Sequence, residues 1–175
     1  MISVEQFKVE NRSIWIGVIY GDKIQGVVYS LEGEGFLKER IEELTRFLRK
    51  RGADVRLEEE KSTYPQLVFD VLKGKLDNEE VLNILSFEGT TLFERKVYEV
   101  LTKKVKRGQV ISYKELAHIV GSSPRAIGGA MKRNPYPIIV PCHRVISSNG
   151  IGFYTPKVEY KKFLLEIEGV KKWTS

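Results

Sequence analysis

"KELAHIVGSSPRAIGGAMKRN", residues 114–134, decides how the second half of this chain is read. It predicts a helix over about 113–120, a tight turn at Gly121-Ser122-Ser123, and a second helix opened by Pro124, whose fixed φ and missing amide proton suit a first helical position. Two short helices joined by a glycine-containing turn form a helix-turn-helix pattern. The second helix carries Gly128 and Gly129 side by side, and each costs roughly 1 kcal/mol relative to alanine inside a helix. Two explanations fit that cost. Either the helix packs closely on another helix, or its backbone approaches a nucleic-acid groove, with Arg125 reaching out from the helix start.

Charge leans toward the groove without deciding it. Residues 86–175 hold 16 Lys+Arg against 7 Asp+Glu, a net of +9, whereas residues 1–85 hold 13 against 16, a net of −3. A basic half beside a mildly acidic one suggests that one part meets a polyanion; solubilising surface lysines are the plain alternative. No run of ~20 apolar residues is present, so no membrane span is expected. The N-terminus lacks a secretory pattern. A single cysteine allows neither an internal disulfide nor a cysteine-based zinc cage. The chain reads as soluble and cytoplasmic. Its charged fraction of 30% would suit a thermophile.

Upstream, "SIWIGVIYGDKIQGVVYS" predicts a β-hairpin over residues 13–30 with a Gly-Asp turn. "GEGFLKERIEELTRFLRKRG" switches period: Leu37, Ile41, Leu44 and Leu48 share one helical face, and Gly52 ends it. "ADVRLEEE" reads as an edge strand, "YPQLVFDVLKGKL" as a short helix begun at Pro65, and "VLNILSF" as a strand. Trp15 is expected in the core. Thr91 followed by Glu94 is a capping box opening a helix with apolar positions Phe93, Val97, Val100, Leu101 and Val105. The expectation is an α+β chain in two parts, residues 1–85 and 86–175.

The chemistry concentrates in "NPYPIIVPCHRVISSNGIGFY", residues 134–154, where the sole cysteine, Cys142, sits beside His143, one of two histidines. "IIVPC" reads as a buried strand ending at Pro141, a stiff mount that suits a nucleophile. A thiol reacts as thiolate and needs a base or a positive charge nearby. Neighbours in an extended segment point opposite ways, so Cys142 and His143 would need a bridging water or a local turn. A histidine base also wants an orienting carboxylate, and "VEYKKFLLEIEG" offers Glu166 and Glu168. His118, inside the first helix of the pair, reads as a partly exposed structural residue.

"PCHRVI", followed by "SNGIGFY" and preceded by "RAIGGAMKRNP", closely resembles the O6-alkylguanine-DNA alkyltransferases, which move an alkyl group from guanine O6 onto their own cysteine. The resemblance spans residues 91–169. It implies a small N-terminal α/β part with an antiparallel, ribonuclease-H-like sheet and a C-terminal winged helix-turn-helix-like part. It implies that Cys142 is the alkyl acceptor, that His143 acts through a water, that Glu168 holds the imidazole, and that Asn134 braces the turn. Arg125 would enter the duplex as the nucleotide flips, beside Ala126, Gly128 and Gly129. Tyr113 would help turn the nucleotide, and the carbonyls of Val145 and Cys142 would meet the guanine amino group. Met131, Pro137, Tyr154, Thr155 and Lys161 would line the pocket.

The implied partner is double-stranded DNA containing O6-alkylguanine, with O4-alkylthymine a second substrate. The acceptor is the protein itself, so no cofactor is implied, and the protein is expected to be monomeric, with cooperative loading on DNA an open possibility. Some relatives bind a structural zinc in the first part; residues 1–85 contain neither cysteine nor histidine, so no metal is expected. A cysteine hydrolase and a winged-helix regulator are rival readings. The hydrolase leaves the helix-turn-helix unexplained, and the regulator lacks an evident effector part.

Overall fold

The computed structural model describes residues 1–171; the last four residues of the expected second part lie outside that range. Three antiparallel strands open the chain, β1 (Ile2–Val9), β2 (Arg12–Tyr20) and β3 (Ile24–Ser30), in the order β1-β2-β3. β2 and β3 are the hairpin expected over residues 13–30, with a bulge between Ile19 and Tyr20. β1 is an addition to the sequence reading. Its turn to β2 uses Glu10 and Asn11, both at positive φ, with no glycine to announce it. Its central residues are largely exposed, as on a sheet edge.

All seven residues of β3 are buried. On one face, Ile2, Ile19 and Val28 pack against Leu37, Ile41 and Leu48 of α1 (Glu34–Lys50), with Leu44 at the margin. On the other, Ile24, Val27 and Tyr29 enter a larger core that continues into the second half through Val97, Leu101, Ile127, Val145 and Leu164. Hydrophobic burial thus runs unbroken across residue 86. The free edge of β3 is also occupied: the Val27 amide donates to the Pro135 carbonyl at 2.8 Å and the Ser86 amide to the Ile24 carbonyl at 2.6 Å. The sheet thereby holds the segment that leads to Cys142.

Three expectations need correction. "ADVRLEEE" is no ladder strand; it runs extended beside β1 with one parallel bridge, Ile2 to Glu59, while Ala53 and Val55 are buried toward α1. "VLNILSF" is not a strand either. Asp77 caps the short helix α3 (Asn78–Val81) by accepting from the Glu79 amide at 3.0 Å, a 3-10 turn follows over Leu82–Ile84, and Leu85 touches Ile24 through a single bridge. A good cap outweighed a weak β preference. Trp15 is half-buried at the edge of the α1 layer rather than central. The helix expected at Pro65 is α2 (Tyr64–Leu72).

The second half contains α4 (Leu92–Lys104), β4 (Ile111–Ser112), α5 (Tyr113–Val120), α6 (Pro124–Lys132), β5 (Val145–Ile146) and α7 (Val158–Ile167), with β4 and β5 paired in parallel. No helix among the described residues is long and apolar enough to cross a membrane. The capping box forms as expected: the Glu94 amide donates to Thr91 Oγ1 at 3.1 Å, and the Thr91 amide to Glu94 Oε1 at 3.0 Å. Glu94 is 1% exposed and also pairs with Arg51 at the end of α1 (2.5 Å) and with Arg133 at the end of α6 (2.7 Å). One carboxylate joins α1 to the start of α4 and the end of α6.

Burial alone would push that carboxyl up, but the hydrogen bonds from Arg51, Arg133 and the Thr91 amide outweigh it and hold Glu94 at about 2, below the ordinary 4.5. A depressed carboxyl contributes stability that is fully present above the unfolded value and lost as pH falls through the folded one. The difference amounts to as much as about 3 kcal/mol. We therefore expect the melting temperatures of the wild type and Glu94→Gln to differ most at neutral pH and to converge between pH 4.5 and 2. A gap that stays constant over that window would contradict the ion-pair account.

Candidate active site

Prolines at 135, 137 and 141 withhold three amide donors from the segment around Cys142, and Ile138 has φ of 75°. "IIVPC" therefore makes a compact turn, not the buried strand expected, because such a backbone cannot pair into a ladder. Side-chain amides hold the turn. Asn78 donates to the carbonyls of Ile138 (2.8 Å) and Ile139 (2.9 Å), and Asn134 donates to that of Val140 (3.0 Å). Asn134 also accepts from the Tyr136 amide at 2.9 Å. Cys142–Arg144 then forms a 3-10 turn running straight into β5, so the alternation of an extended strand does not apply to Cys142 and His143.

Cys142 is 7% exposed. Burial pushes its thiol up, while the Asn134 side chain, the Lys161 ammonium and the Tyr154 hydroxyl pull it back in part. The resting sulfur is a thiol, and a base is required. His143 is 2% exposed; burial lowers its pKa against the opposing pull of Glu168, which leaves a neutral imidazole able to accept a proton. Its Nε2 lies 3.1 Å from Glu168 Oε2. That contact is close without an aligned hydrogen bond, and the buried Nδ1 has no protein partner.

Glu168 closes α7 as its C-cap. Burial would push its carboxyl up, but the neighbouring His143 and the Arg144 hydrogen bonds overcome this and hold it well below the carboxylate range. Arg144, 1% exposed, grips Glu168 at both oxygens: Nε to Oε1 at 2.9 Å and Nη2 to Oε2 at 2.7 Å. It also donates to the Val105 carbonyl (2.9 Å) and Asn78 Oδ1 (3.2 Å). Arg144 and Asn78 are positioning residues that the sequence reading missed. Arg144 stood in the motif with no visible partner, and Asn78 gave no signal.

Lys161 is fully buried, and burial brings its ammonium down to about 8, against the pull of Cys142. It donates to the carbonyls of Val145 (2.6 Å) and Phe153 (3.1 Å) and lies 5.7 Å above the Tyr113 ring. The Val145 carbonyl expected to meet a guanine amino group thus already accepts from Lys161. Tyr113 is half-buried at the start of α5, and burial raises its hydroxyl against the opposing pull of the Phe153 backbone. Tyr154 is among the groups that hold the Cys142 thiol down, and its hydroxyl accepts from Tyr29 of β3 at 3.0 Å. Met131 and Pro137 are half-buried and Thr155 is exposed. Glu166, the other carboxylate offered by α7, is exposed.

The two-helix unit forms as read. Gly121 closes α5 in the left-handed region, and Ser123 caps α6 by accepting from the Ala126 amide at 3.1 Å. Ile127 and Ala130 face the core, and Arg125 is exposed. A Cβ at Gly128 would meet nothing within 4 Å, and the nearest atoms to one at Gly129 would belong to the Arg133 guanidinium. Neither glycine packs on a neighbouring helix. The face of α6 that carries them is an open, low surface beside Arg125. His118 is exposed, as expected.

Residues 1–88 match the family model "Methylated DNA-protein cysteine methyltransferase, N-terminal", and residues 92–170 match "6-O-methylguanine DNA methyltransferase, DNA binding domain". The chain belongs to this methyltransferase family. It is 61% identical over its full length, and the whole of the relative's, to a methylated-DNA–protein-cysteine methyltransferase of Thermococcus barophilus. It is 47% identical to the Pyrococcus furiosus protein of the same name, covering 99% of it. The crystal structure of an O6-methylguanine-DNA methyltransferase from Pyrococcus kodakaraensis superposes with a TM-score of 0.95 at 56% identity, covering 97% of this chain and 100% of that one. A Methanococcus jannaschii structure of the same activity gives 0.60 at 27% identity, covering 98% and 96%. The family's activity, DNA repair by transfer of a methyl group from methylated DNA to a protein cysteine, is the activity of this enzyme.

Proposed function

We propose that Cys142 takes the alkyl group and that each molecule reacts once. The supporting observation is the buried sequence of groups around the sole cysteine: a neutral His143, a carboxylate at Glu168, and a rigid turn braced by Asn134. A water held by His143 Nδ1 would carry the thiol proton to the imidazole, and Glu168 would offset the charge that develops. The thiolate then attacks the carbon on guanine O6. The carbon–sulfur bond forms as the carbon–oxygen bond breaks, and the departing purine anion takes up the one proton that the imidazolium returns through water. The product thioether has no easy hydrolytic exit.

A sulfur this buried cannot reach a base stacked in a duplex, so the nucleotide must leave the helix. In this reading the open face of α6, with Ala126, Gly128 and Gly129, lies against the minor groove, Arg125 fills the space left behind, and Tyr113 steers the phosphate. Backbone charge contacts supply affinity with little sequence information. Met131, Pro137, Thr155 and the Val145 carbonyl would border the base. O4-alkylthymine presents the same type of oxygen–carbon bond and falls within the same reach. The division at residue 85/86 is functional in this reading, with residues 86–175 carrying the chemistry of a monomer on double-stranded DNA.

Two measurements test it. With excess O6-methylguanine duplex, intact-mass analysis should show uptake ending at one methyl per chain; continued turnover would refute the single-use mechanism. Arg125→Ala should slow repair in duplex at least ~10-fold more than reaction with free O6-benzylguanine, since the free base needs no extrusion. Equal losses on both substrates would remove Arg125 from that role.

A further inference from the structure

The N-terminal sheet reaches the thiol through two hydroxyls. Tyr29, on β3, is 3% exposed and donates to the Tyr154 hydroxyl at 3.0 Å, and Tyr154 is among the groups that pull the buried Cys142 thiol back down. A phenol has one proton to donate. With the Tyr154 proton turned to sulfur, Tyr154 oxygen must be the acceptor from Tyr29, so the order is Tyr29 to Tyr154 to Cys142. We propose that Tyr29 is a positioning residue for alkyl transfer, acting through Tyr154 to favour the thiolate of Cys142. This rests on Cys142 being the acceptor.

The relay has physical content at each link. A donor that itself accepts a hydrogen bond is polarised and donates more strongly, especially where water is excluded. The ring of Tyr29 is held independently of its hydroxyl, packing 5.4 Å from the Tyr160 ring, while Tyr160 accepts from the Leu31 amide at 3.1 Å and binds Glu32 at 2.9 Å. Removing the Tyr29 oxygen therefore leaves the packing in place and alters only the direction and strength of the Tyr154 donor. The other groups that act on the sulfur come from separate elements: Tyr98 on α4, Tyr113 on α5, Lys161 on α7, and Asn134 after α6. None of these hydrogen-bonds Tyr29, so they remain in the variant as in the wild type. Deprotonation of sulfur strengthens the Tyr154 link, and its conversion to a thioether leaves that hydroxyl with a poor acceptor.

Tyr29→Phe tests this directly. The second-order rate with free O6-benzylguanine, followed from pH 6 to 10, should fall roughly threefold to tenfold at neutral pH, the worth of one neutral hydrogen bond. The variant's profile should climb back toward the wild type at high pH, where the thiol ionises without help. Affinity for undamaged duplex should be unchanged, since the hydroxyl lies away from α6. Tyr154→Phe should reproduce the pH displacement, and adding Tyr29→Phe to it should cost nothing more. Superimposable profiles for Tyr29→Phe and wild type would overturn the inference, as would a loss equal at every pH. If the wild type itself fails to alkylate Cys142, the functional reading falls instead, and the two failures are separable.

Discussion

Cys142→Ser is expected to take up no alkyl group from methylated DNA while still binding duplex. In the proposed mechanism the help is suited to sulfur: the Asn134 side chain, the Lys161 ammonium and the Tyr154 hydroxyl hold down a thiol that burial raises above its ordinary 9.0, and His143 would take the proton. A serine hydroxyl is far less acidic and far less nucleophilic, and nothing in the site compensates. The substitution removes little volume from a turn braced through Asn78 and Asn134, so the fold should persist. DNA affinity should persist too, because Arg125 and the glycines of α6 lie on a different element. Peptide mass spectrometry after incubation with O6-methylguanine duplex should place the added methyl on the Cys142 peptide of the wild type and nowhere in the variant. A methyl found on another peptide of the variant would show that the acceptor was misassigned.

Glu168→Gln should be the most damaging change that leaves the nucleophile in place. It removes the charge that Arg144 grips at 2.9 and 2.7 Å and that His143 faces at 3.1 Å, in a setting where Arg144 is 1% exposed. Breaking a buried pair by removing one partner leaves an uncompensated ion and costs about 3–5 kcal/mol. The same substitution takes away the carboxylate that would steady an imidazolium, a loss of order 10²–10⁴ in rate for general-base assistance. Two measurements separate these effects. Denaturant unfolding reads the stability term, and single-turnover reaction with free O6-benzylguanine reads the chemical one. His143→Gln, which keeps the Arg144–Glu168 pair, should lose rate with much less loss of stability. Should Glu168→Gln unfold within 1 kcal/mol of the wild type, Arg144 would have to be satisfied some other way, and the account of the turn would fail.

The wild type also carries an acid sensitivity of known sign. Glu168, like Glu94, is held below its ordinary carboxyl range in the folded chain. The stability each contributes is present above the unfolded value and drains away as pH falls toward the folded one.

Local chemistry explains why the helix-turn-helix was legible. Ser112, Ser123 and Thr91 each cap the helix that follows, and Gly121 ends α5 in the left-handed region. These are short-range interactions among residues within four positions, so their types suffice to announce them. The same holds for the β2–β3 hairpin and for α1. The misreadings came where local preference was weak or non-local contacts ruled. "IIVPC" has strand composition, but its prolines and the Ile138 backbone make a turn that Asn78 secures from over sixty residues away. "VLNILSF" yielded to a cap at Asp77. β1 lacked any glycine in its turn.

At the candidate site, adjacency in the chain placed Cys142 beside His143, and the family resemblance supplied Glu168 and Lys161 from α7. What composition and spacing alone determined was a basic helix-turn-helix half with one cysteine on a proline-stiffened mount, read as the end of a strand. The tertiary structure decided the rest: that Arg144 turns inward to hold Glu168, that Glu94 ties α1 to α4 and α6, and that a tyrosine of the N-terminal sheet reaches the thiol's neighbour. Capping and turn formation are fixed by neighbours along the chain, whereas partners of buried charges and hydroxyls are chosen by which elements the core brings together. That choice depends on packing over the whole molecule, which no short stretch of residues encodes.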